Sequence, residues 1–410
     1  MIYNLFRTSS NLHFWFITFS LFVIMLGTNV PIPLFSLYQQ QLDLSPGMVT
    51  FIFGIYALTI IPTSLVAGQL SDHVGRKKIL ILGLVMSLIG TVCFAFAESI
   101  FTILLSRFFQ GLSVGLFNGV AVATMIETHP TQDKTFCAFV SSIAMSVGNA
   151  LGPIFAGVVA ESFMQSTRIP YFIHFVLLVP CLIGLVTINE SIKEKSPGRF
   201  YIPSIPTEIR SSFYLASFTS ILVWAVIGLF LTVLPTYLFT FTGTKSIIVS
   251  GLIVFLALGS STIAQLTLRK LSLSTFTVTL TGIISALLCL TGLAILNWVI
   301  SLPVLIVCTI LAGLGHGPAF VGSLSLINEI APEKVRGNVI SLFYAMSYLG
   351  VSGPLLGLGW SAQWIGLFPA VNLFLSIIAI LLVVIIRFWM IYSNNTKPVA
   401  IMESSPHFKK

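Results

Sequence analysis

The sequence predicts an all-α polytopic membrane protein, with twelve transmembrane helices in two pseudo-symmetric six-helix bundles. Three observations predict it. Only 8% of the 410 residues are charged and 56% are hydrophobic. A soluble domain carries roughly 25% charged residues, so most of this chain's outer surface has to face lipid. Apolar runs near the roughly 20 residues needed to cross a bilayer recur along the whole chain. Short motifs then repeat in order, at a nearly constant offset, between its two halves.

The spans follow in order. Arg7 precedes the first, residues 14–38. That run exceeds a secretory h-region of about 7–15 residues and shows no clear A-x-A cleavage pattern, so it reads as a retained span. Five more cover 47–70, 79–97, 100–127, 134–160 and 169–188, and six cover 213–240, 246–268, 275–296, 300–328, 338–361 and 366–392. Several contain Pro and Gly, which membrane helices tolerate better than soluble ones. The longest polar segment, Asn189 to Ser212, holds Lys193, Lys195, Arg199 and Arg210. It reads as a cytoplasmic linker between an N-terminal bundle (1–188) and a C-terminal bundle with a short tail (213–410).

Charge sets the orientation. Of the 20 Lys and Arg, 17 fall on the side that holds both termini and the linker. Only Arg168 and Lys245 fall opposite, and Arg107 lies within a span. The positive-inside rule then puts both termini in the cytoplasm. The net charge of +8 is thereby a matter of membrane orientation and not of nucleic-acid binding. Five cysteines, odd in number and without CxxC spacing, sit in or beside apolar runs and read as packing residues, not as a disulfide framework or zinc site.

The repeats argue for duplication. VPIPLFSLY (Val30–Tyr38) aligns with TVLPTYLFT (Thr232–Thr240), pairing Pro33 with Pro235 at an offset of 202. QGLSVG (Gln110–Gly115) aligns with AGLGHG (Ala312–Gly317) at the same offset, as do Glu127 with Glu329 and Pro130 with Pro332. SVGNALGPIFAG (Ser146–Gly157) pairs with YLGVSGPLLGLG (Tyr348–Gly359) after a one-residue slip. Parallel halves around a midplane site are a transporter plan.

The densest charge cluster, in GQLSDHVGRKKIL (Gly68–Leu80), falls between the second and third spans. Arg76, Lys77 and Lys78 would serve as a positive-inside anchor, which leaves Gly68, Asp72 and Gly75 unexplained. The stretch resembles the major facilitator superfamily signature G-x-L-x-D-x-x-G-R-K/R-K/R, with Gly68, Leu70, Asp72, Gly75, Arg76, Lys77 and Lys78 all matching. The resemblance implies a latch that joins the two halves on the cytoplasmic side when the outer side is open. Asp72 would meet the N-terminus of the span starting near Asn338, and Arg76 would pair with Glu127. The second-half copy, AQLTLRKLS, has Leu268 where the acid would stand. RFFQGLSVG (Arg107–Gly115) is similar to the family's fourth-span motif and APEKVRGN (Ala331–Asn338) to the loop before its eleventh. GNALGPIFAG (Gly148–Gly157) resembles the fifth-span motif of drug and metabolite exporters, with Ala156 replacing one Gly of the usual pair.

Several residues are candidates for transport. Arg107 is the one Lys, Arg, Asp or Glu well inside a span, where charge costs about 2.5–3.5 kcal/mol. It reads either as a proton-linked or anion-binding group facing the cavity, or as an arginine snorkelling outward. His316, mid-span in GLGHGP, reads as a proton carrier or as a neutral hydrogen-bonding residue. Asn29, Gln110, Asn118, Asn149 and Tyr344 line the cavity or join helices, and Tyr56 and Trp224 add aromatic surface. Gly148, Gly152, Pro153 and Gly157 read as a hinge or as small-residue packing, and their pairing with Gly350, Gly353 and Pro354 favours a rocking seam. Proton-coupled exporters of the resembled family often bury a carboxylate in the first span. This chain has Thr28 and Asn29 there, which points to a neutral or anionic substrate.

The expectation is an alternating-access transporter that exports a small drug-like or metabolite molecule in exchange for protons; import of a metabolite is the alternative on the same fold. No HExxH, paired carboxylates or Ser/His/Asp set at membrane depth points to an enzyme, and no Walker A sequence to ATP. The expected partners are a small-molecule substrate, protons and the lipid bilayer, with no nucleic acid, cofactor or metal. The chain is expected to work as a monomer in a bacterial inner membrane.

Overall fold

The computed structural model describes residues 2–164, 166–188, 204–234, 246–268, 271, 273–296, 298–299 and 301–403. Most of the expected linker, together with Pro235, Lys245, Arg269 and Lys270, lies outside the described residues. Two helices, α1 (Ile2–Asn29) and α2 (Pro31–Gln41), make the first span. They are followed by α3 (Pro46–Val74), α4 (Arg76–Ala95), α5 (Ile100–Thr128), α6 (Lys134–Ser162) and α7 (Ile169–Thr187). The second half has α8 (Arg210–Thr232), α9 (Ile247–Leu268), α10 (Thr275–Ile295), α11 (Leu302–Ile330), α12 (Arg336–Ile365) and α13 (Leu367–Glu403). By length and composition, twelve spans are long and apolar enough to cross a membrane.

The sequence predicted one unbroken first span, but the helix breaks at Val30. Pro31 and Pro33 follow the break, and a proline brings no backbone N–H to continue a helix. Several other helix starts are capped by side chains. Ser45 accepts from the Met48 amide at the start of α3, Ser99 and Thr102 form a capping box on α5, and Asp133 accepts from Thr135 and Phe136 at α6.

The loop expected around Asp72 is a single residue. α3 runs to Val74, Gly75 turns the chain, and α4 starts at Arg76. Gly75 has φ +112°, a region that disfavours a side chain and explains the glycine at this point of the motif. Arg76, Lys77 and Lys78 therefore form the first turn of α4, where cations oppose the helix dipole. Two contacts offset this: Arg76 Nε lies 2.7 Å from Glu127 Oε1, and Lys77 Nζ donates to the Val186 carbonyl at 2.6 Å. The end of the molecule that carries these residues is called here the basic end, and the opposite one the distal end.

The duplicated glycines pack alike in both halves. A Cβ on Gly111 would stand 2.7 Å from the Tyr56 carbonyl, and one on Gly115 2.6 Å from Thr63 Cβ, so α5 lies directly on α3. Their counterparts Gly313 and Gly317 meet the Ala257 and Ser261 carbonyls, bringing α11 equally close to α9. Gly148 and Gly350 would each place a Cβ 2.5 Å from a carbonyl, that of Phe22 on α1 and that of Ile221 on α8. One apolar core draws on residues from 213 onward and another on residues up to 188, the latter also packed by Tyr348 of α12. A third mixes both bundles, joining Val30, Phe35, Phe53 and Ala156 to Leu231, Ile247 and Val254.

Between the bundles, α3 meets α12 and α6 meets α9. The close contacts lie toward the distal end. Gly251 rests on the Pro153 carbonyl, and a Cβ on Gly157 would stand 2.8 Å from the Ile247 carbonyl. Gln363 Nε2 donates to Ser45 Oγ at 3.2 Å, and Gly359 rests on Thr50. At the basic end, a Cβ on Gly68 of α3 or Gly337 of α12 would meet nothing within 4 Å.

Candidate functional site

Arg107 neither snorkels nor lines open space. It is 1% exposed. Its guanidinium carbon lies 4.6 Å from the Phe53 ring centroid, 5.2 Å from Phe35, 5.5 Å from Tyr56 and 5.8 Å from Phe94. Nη1 donates to the Thr28 carbonyl and to Gln110 Oε1, both at 3.0 Å, while Gln110 Nε2 donates to the Gly27 carbonyl at 3.0 Å. The break after α1 leaves these carbonyls near the helix end, free to accept. Nε and Nη2 have no hydrogen-bond partner, and none of the ion pairs among the described residues involves Arg107. Ring faces, each worth about 0.5–2 kcal/mol, take the place of a counter-ion.

Asn29 does not stand free in the cavity. Its Nδ2 donates to the Asn149 carbonyl and to Asn149 Oδ1, both at 3.0 Å, tying α1 to α6. The expected hinge divides. Gly148 and Gly152 press α6 onto α1 within one bundle, whereas Pro153 and Gly157 meet α9 of the other. Only the second pair belongs to a seam between bundles.

In the second bundle, His316 is 5% exposed. It is T-stacked on Trp224 at 4.4 Å, parallel to Phe320 at 5.8 Å, and Phe320 in turn touches Tyr344 at 6.0 Å. Tyr344 itself is 39% exposed. His316 Nδ1 lies 2.9 Å from Ser261 Oγ, which already accepts from Gln265 Nε2 at 3.2 Å. A hydroxyl has one donor and two acceptor sites, so which of Ser261 and Nδ1 donates follows the tautomer of the ring. Nε2 has no hydrogen-bond partner, and neither has Trp224 Nε1; Asn118 Oδ1 on α5 is buried and unpartnered as well.

At the basic end, Arg76 bridges Glu127 at 2.7 Å and Asp72 at 3.6 Å, both in its own bundle. The expected contact of Asp72 with the helix starting near Asn338 is not made: the Asp72 side chain is 50% exposed, and α12 starts at Arg336.

Two residues escaped sequence reasoning. His174 Nε2 donates to the Val23 carbonyl at 3.0 Å, and Thr91 donates to its Nδ1 at 2.9 Å, with the ring filling the space beside Gly27. A lone histidine in the apolar run YFIHFVLL was its only signal. Glu161, in the last turn of α6, accepts from the Ser246 hydroxyl at 2.9 Å and from the Ile248 amide at 3.0 Å. Nothing in the sequence pairs it with a helix 85 residues away. No group of His, Cys, Asp and Glu among the described residues is arranged to hold a metal, and all five cysteines are free thiols.

Twelve apolar helices in two duplicated bundles, whose closest contacts lie at the distal end, make a polytopic membrane protein. The sequence model of the Major Facilitator Superfamily matches residues 17–352 and 277–407. The chain belongs to that superfamily. It is 25% identical over 229 residues to the quinolone resistance protein NorA of Staphylococcus aureus (strain MSSA476), a match covering 55% of this chain and 58% of that one. It is 27% identical over 222 residues to multidrug resistance protein 1 of Bacillus subtilis (strain 168), covering 49% and 55%. The matches thus span little more than half the length of these relatives. Among solved structures, a bacterial homologue of the human lysosomal transporter Spinster, inward-facing and unoccupied, superimposes with TM-score 0.73 at 14% identity over 94% of this chain and 97% of that one. A point mutant of the nucleoside transporter NupG gives TM-score 0.73 at 14% identity, covering 92% and 99%.

Proposed function

We propose that this chain exports a small organic molecule, neutral or anionic, from a bacterial cytoplasm by alternating access, in exchange for protons. The observation that carries the reading is the asymmetry of the seam. The bundles touch at the distal end through Pro153, Gly157 and Gly251, whereas at the basic end Gly68 and Gly337 are exposed, with nothing within 4 Å of an added Cβ. With 17 of 20 Lys and Arg on the basic side, that end belongs in the cytoplasm and the conformation is inward-facing. When the basic end closes, Asp72 meets the positive N-terminal end of α12 and Arg76 stays on Glu127. Arg107, Gln110, Asn29 and Asn149 form the N-terminal wall of the transport path, and His316 and Tyr344 the C-terminal wall.

Export is favoured by the names of the relatives, which are resistance proteins. The substrate class follows from charge. Every carboxylate among the described residues lies in a loop or near a helix end, so no acid faces Arg107 or His316. Proteoliposomes containing the protein and a pH-sensitive dye test the coupling. Substrate added against a proton gradient has to move protons in the opposite direction, at a rate lost in Arg107→Ala. Substrate movement without proton movement would remove the antiport, and proton movement alongside the substrate would make it an importer.

A further inference from the structure

We infer that Trp224 and His316 form the hydrogen-bond-donor end of the substrate site, selecting aromatic molecules that carry an anionic oxygen group such as a sulfonate or carboxylate. The inference rests on the central cavity being the substrate path. Two ring nitrogens, Trp224 Nε1 and His316 Nε2, are buried without a hydrogen-bond partner, on rings whose centroids are 4.4 Å apart. We take the Ser261 hydroxyl as donor to Nδ1, which leaves the ring proton on Nε2. Native proteins leave few buried donors unpaired, so two on touching rings call for a ligand atom. The indole N–H is a donor only, and in that tautomer so is Nε2, so the pair rewards an acceptor. Phe320 and the exposed ring of Tyr344 continue the surface with aromatic faces for the rest of the molecule.

A matched pair of probes tests this: 8-anilinonaphthalene-1-sulfonate and N-phenyl-1-naphthylamine, which share their rings but not the sulfonate. Binding is measured by flow dialysis on protein in lipid nanodiscs, with empty nanodiscs subtracted. The wild type should prefer the sulfonate. In Trp224→Phe and His316→Phe the sulfonate should weaken about tenfold while the amine holds, the usual cost of losing a hydrogen bond to a charged group. Equal weakening of both probes would make the rings mere packing and overturn the inference. So would an unchanged sulfonate affinity, or a wild type that binds neither probe. Export is scored separately, by cellular accumulation of N-phenyl-1-naphthylamine: a transporter that exports it with no sulfonate preference sinks this inference alone, and one that imports it sinks the exporter reading.

A different observation carries a second inference: the structure assigns Glu161 to the distal latch. Ser246 caps α9 by accepting from the Val249 amide at 3.3 Å, and its own hydroxyl donates to Glu161. Glu161 also takes the Ile248 amide, so a carboxylate of one bundle completes the N-cap of a helix in the other. That contact exists only while the distal end is closed. Hydrogen exchange in nanodiscs tests it with Glu161→Gln. Peptides over 246–250 should exchange about tenfold faster, as charge-assisted bonds to the first turn weaken. Peptides over 68–76 and 336–342 should exchange more slowly, because the other end closes in return. Unchanged exchange at 246–250 would overturn the contact. Faster exchange there with no change at the basic end would reduce Glu161 to a local cap and overturn the latch.

Discussion

Adding a side chain at Gly157 should open the distal end without unfolding the protein. A Cβ there stands 2.8 Å from the Ile247 carbonyl and 3.1 Å from Ile248 Cα. Both are backbone atoms of the opposite bundle and cannot swing aside, so α6 and α9 have to part. Overpacking of this kind costs about 1–3 kcal/mol. The cost falls only on the conformation in which the two helices touch, so the ratio of distal-open to distal-closed molecules should rise about 5- to 150-fold. Gly148 provides the contrast. Its Cβ would stand 2.5 Å from the Phe22 carbonyl, but inside one bundle, so the strain is carried in both conformations and cancels. Gly148→Val should lower stability and leave the ratio alone. Pulsed electron spin resonance between labels at Met164 and Trp364, exposed at the distal ends of the two bundles, reads the ratio directly in a background with the five native cysteines replaced. A folded Gly157→Val protein with the wild-type distance distribution would refute the reasoning. So would the same shift in Gly148→Val.

Other outcomes follow from the same geometry. Arg107→Lys should insert normally and lose at least about tenfold in transport, because an ammonium lacks the planar guanidinium that lies among four rings while Nη1 holds Thr28 and Gln110; initial rates per reconstituted molecule measure it. Asp72→Asn should slow cycling at normal membrane abundance, since Asp72 makes its cross-bundle contact only when the basic end closes; transport at the wild-type rate would remove it from the gate. Gly75→Ala has to adopt φ near +112°, at a cost of about 1–3 kcal/mol, and should lower the thermal unfolding midpoint in detergent.

Much of the fold was legible because bilayer thickness and duplication both write directly into sequence. The twelve spans follow from run length. The pairing of Gly111 and Gly115 with Gly313 and Gly317 anticipated that α5 on α3 and α11 on α9 would pack through the same glycine positions. The site was legible only in part. Arg107 stood out as a charge inside a span, but its cage draws Phe35, Phe53 and Phe94 from three other helices, and no spacing in one sequence brings those together. Gly148 and Gly157 looked like one hinge motif. Their separation along α6 is enough to put them against different bundles. Glu161 escaped because an acid in the last turn of a span resembles a solvated helix end, and its partner lies on a helix across the seam. Asp72 was read from its motif, and its one ion pair among the described residues is with Arg76 of its own bundle.

The most direct test is accumulation of a panel of fluorescent compounds, neutral and anionic aromatics included, in cells expressing the chain, with and without a protonophore and beside Arg107→Ala. Proton-driven export predicts reduced accumulation of at least one compound, restored by the protonophore and absent in the variant. Increased accumulation, or a reduction that persists when the proton gradient is collapsed, would contradict it.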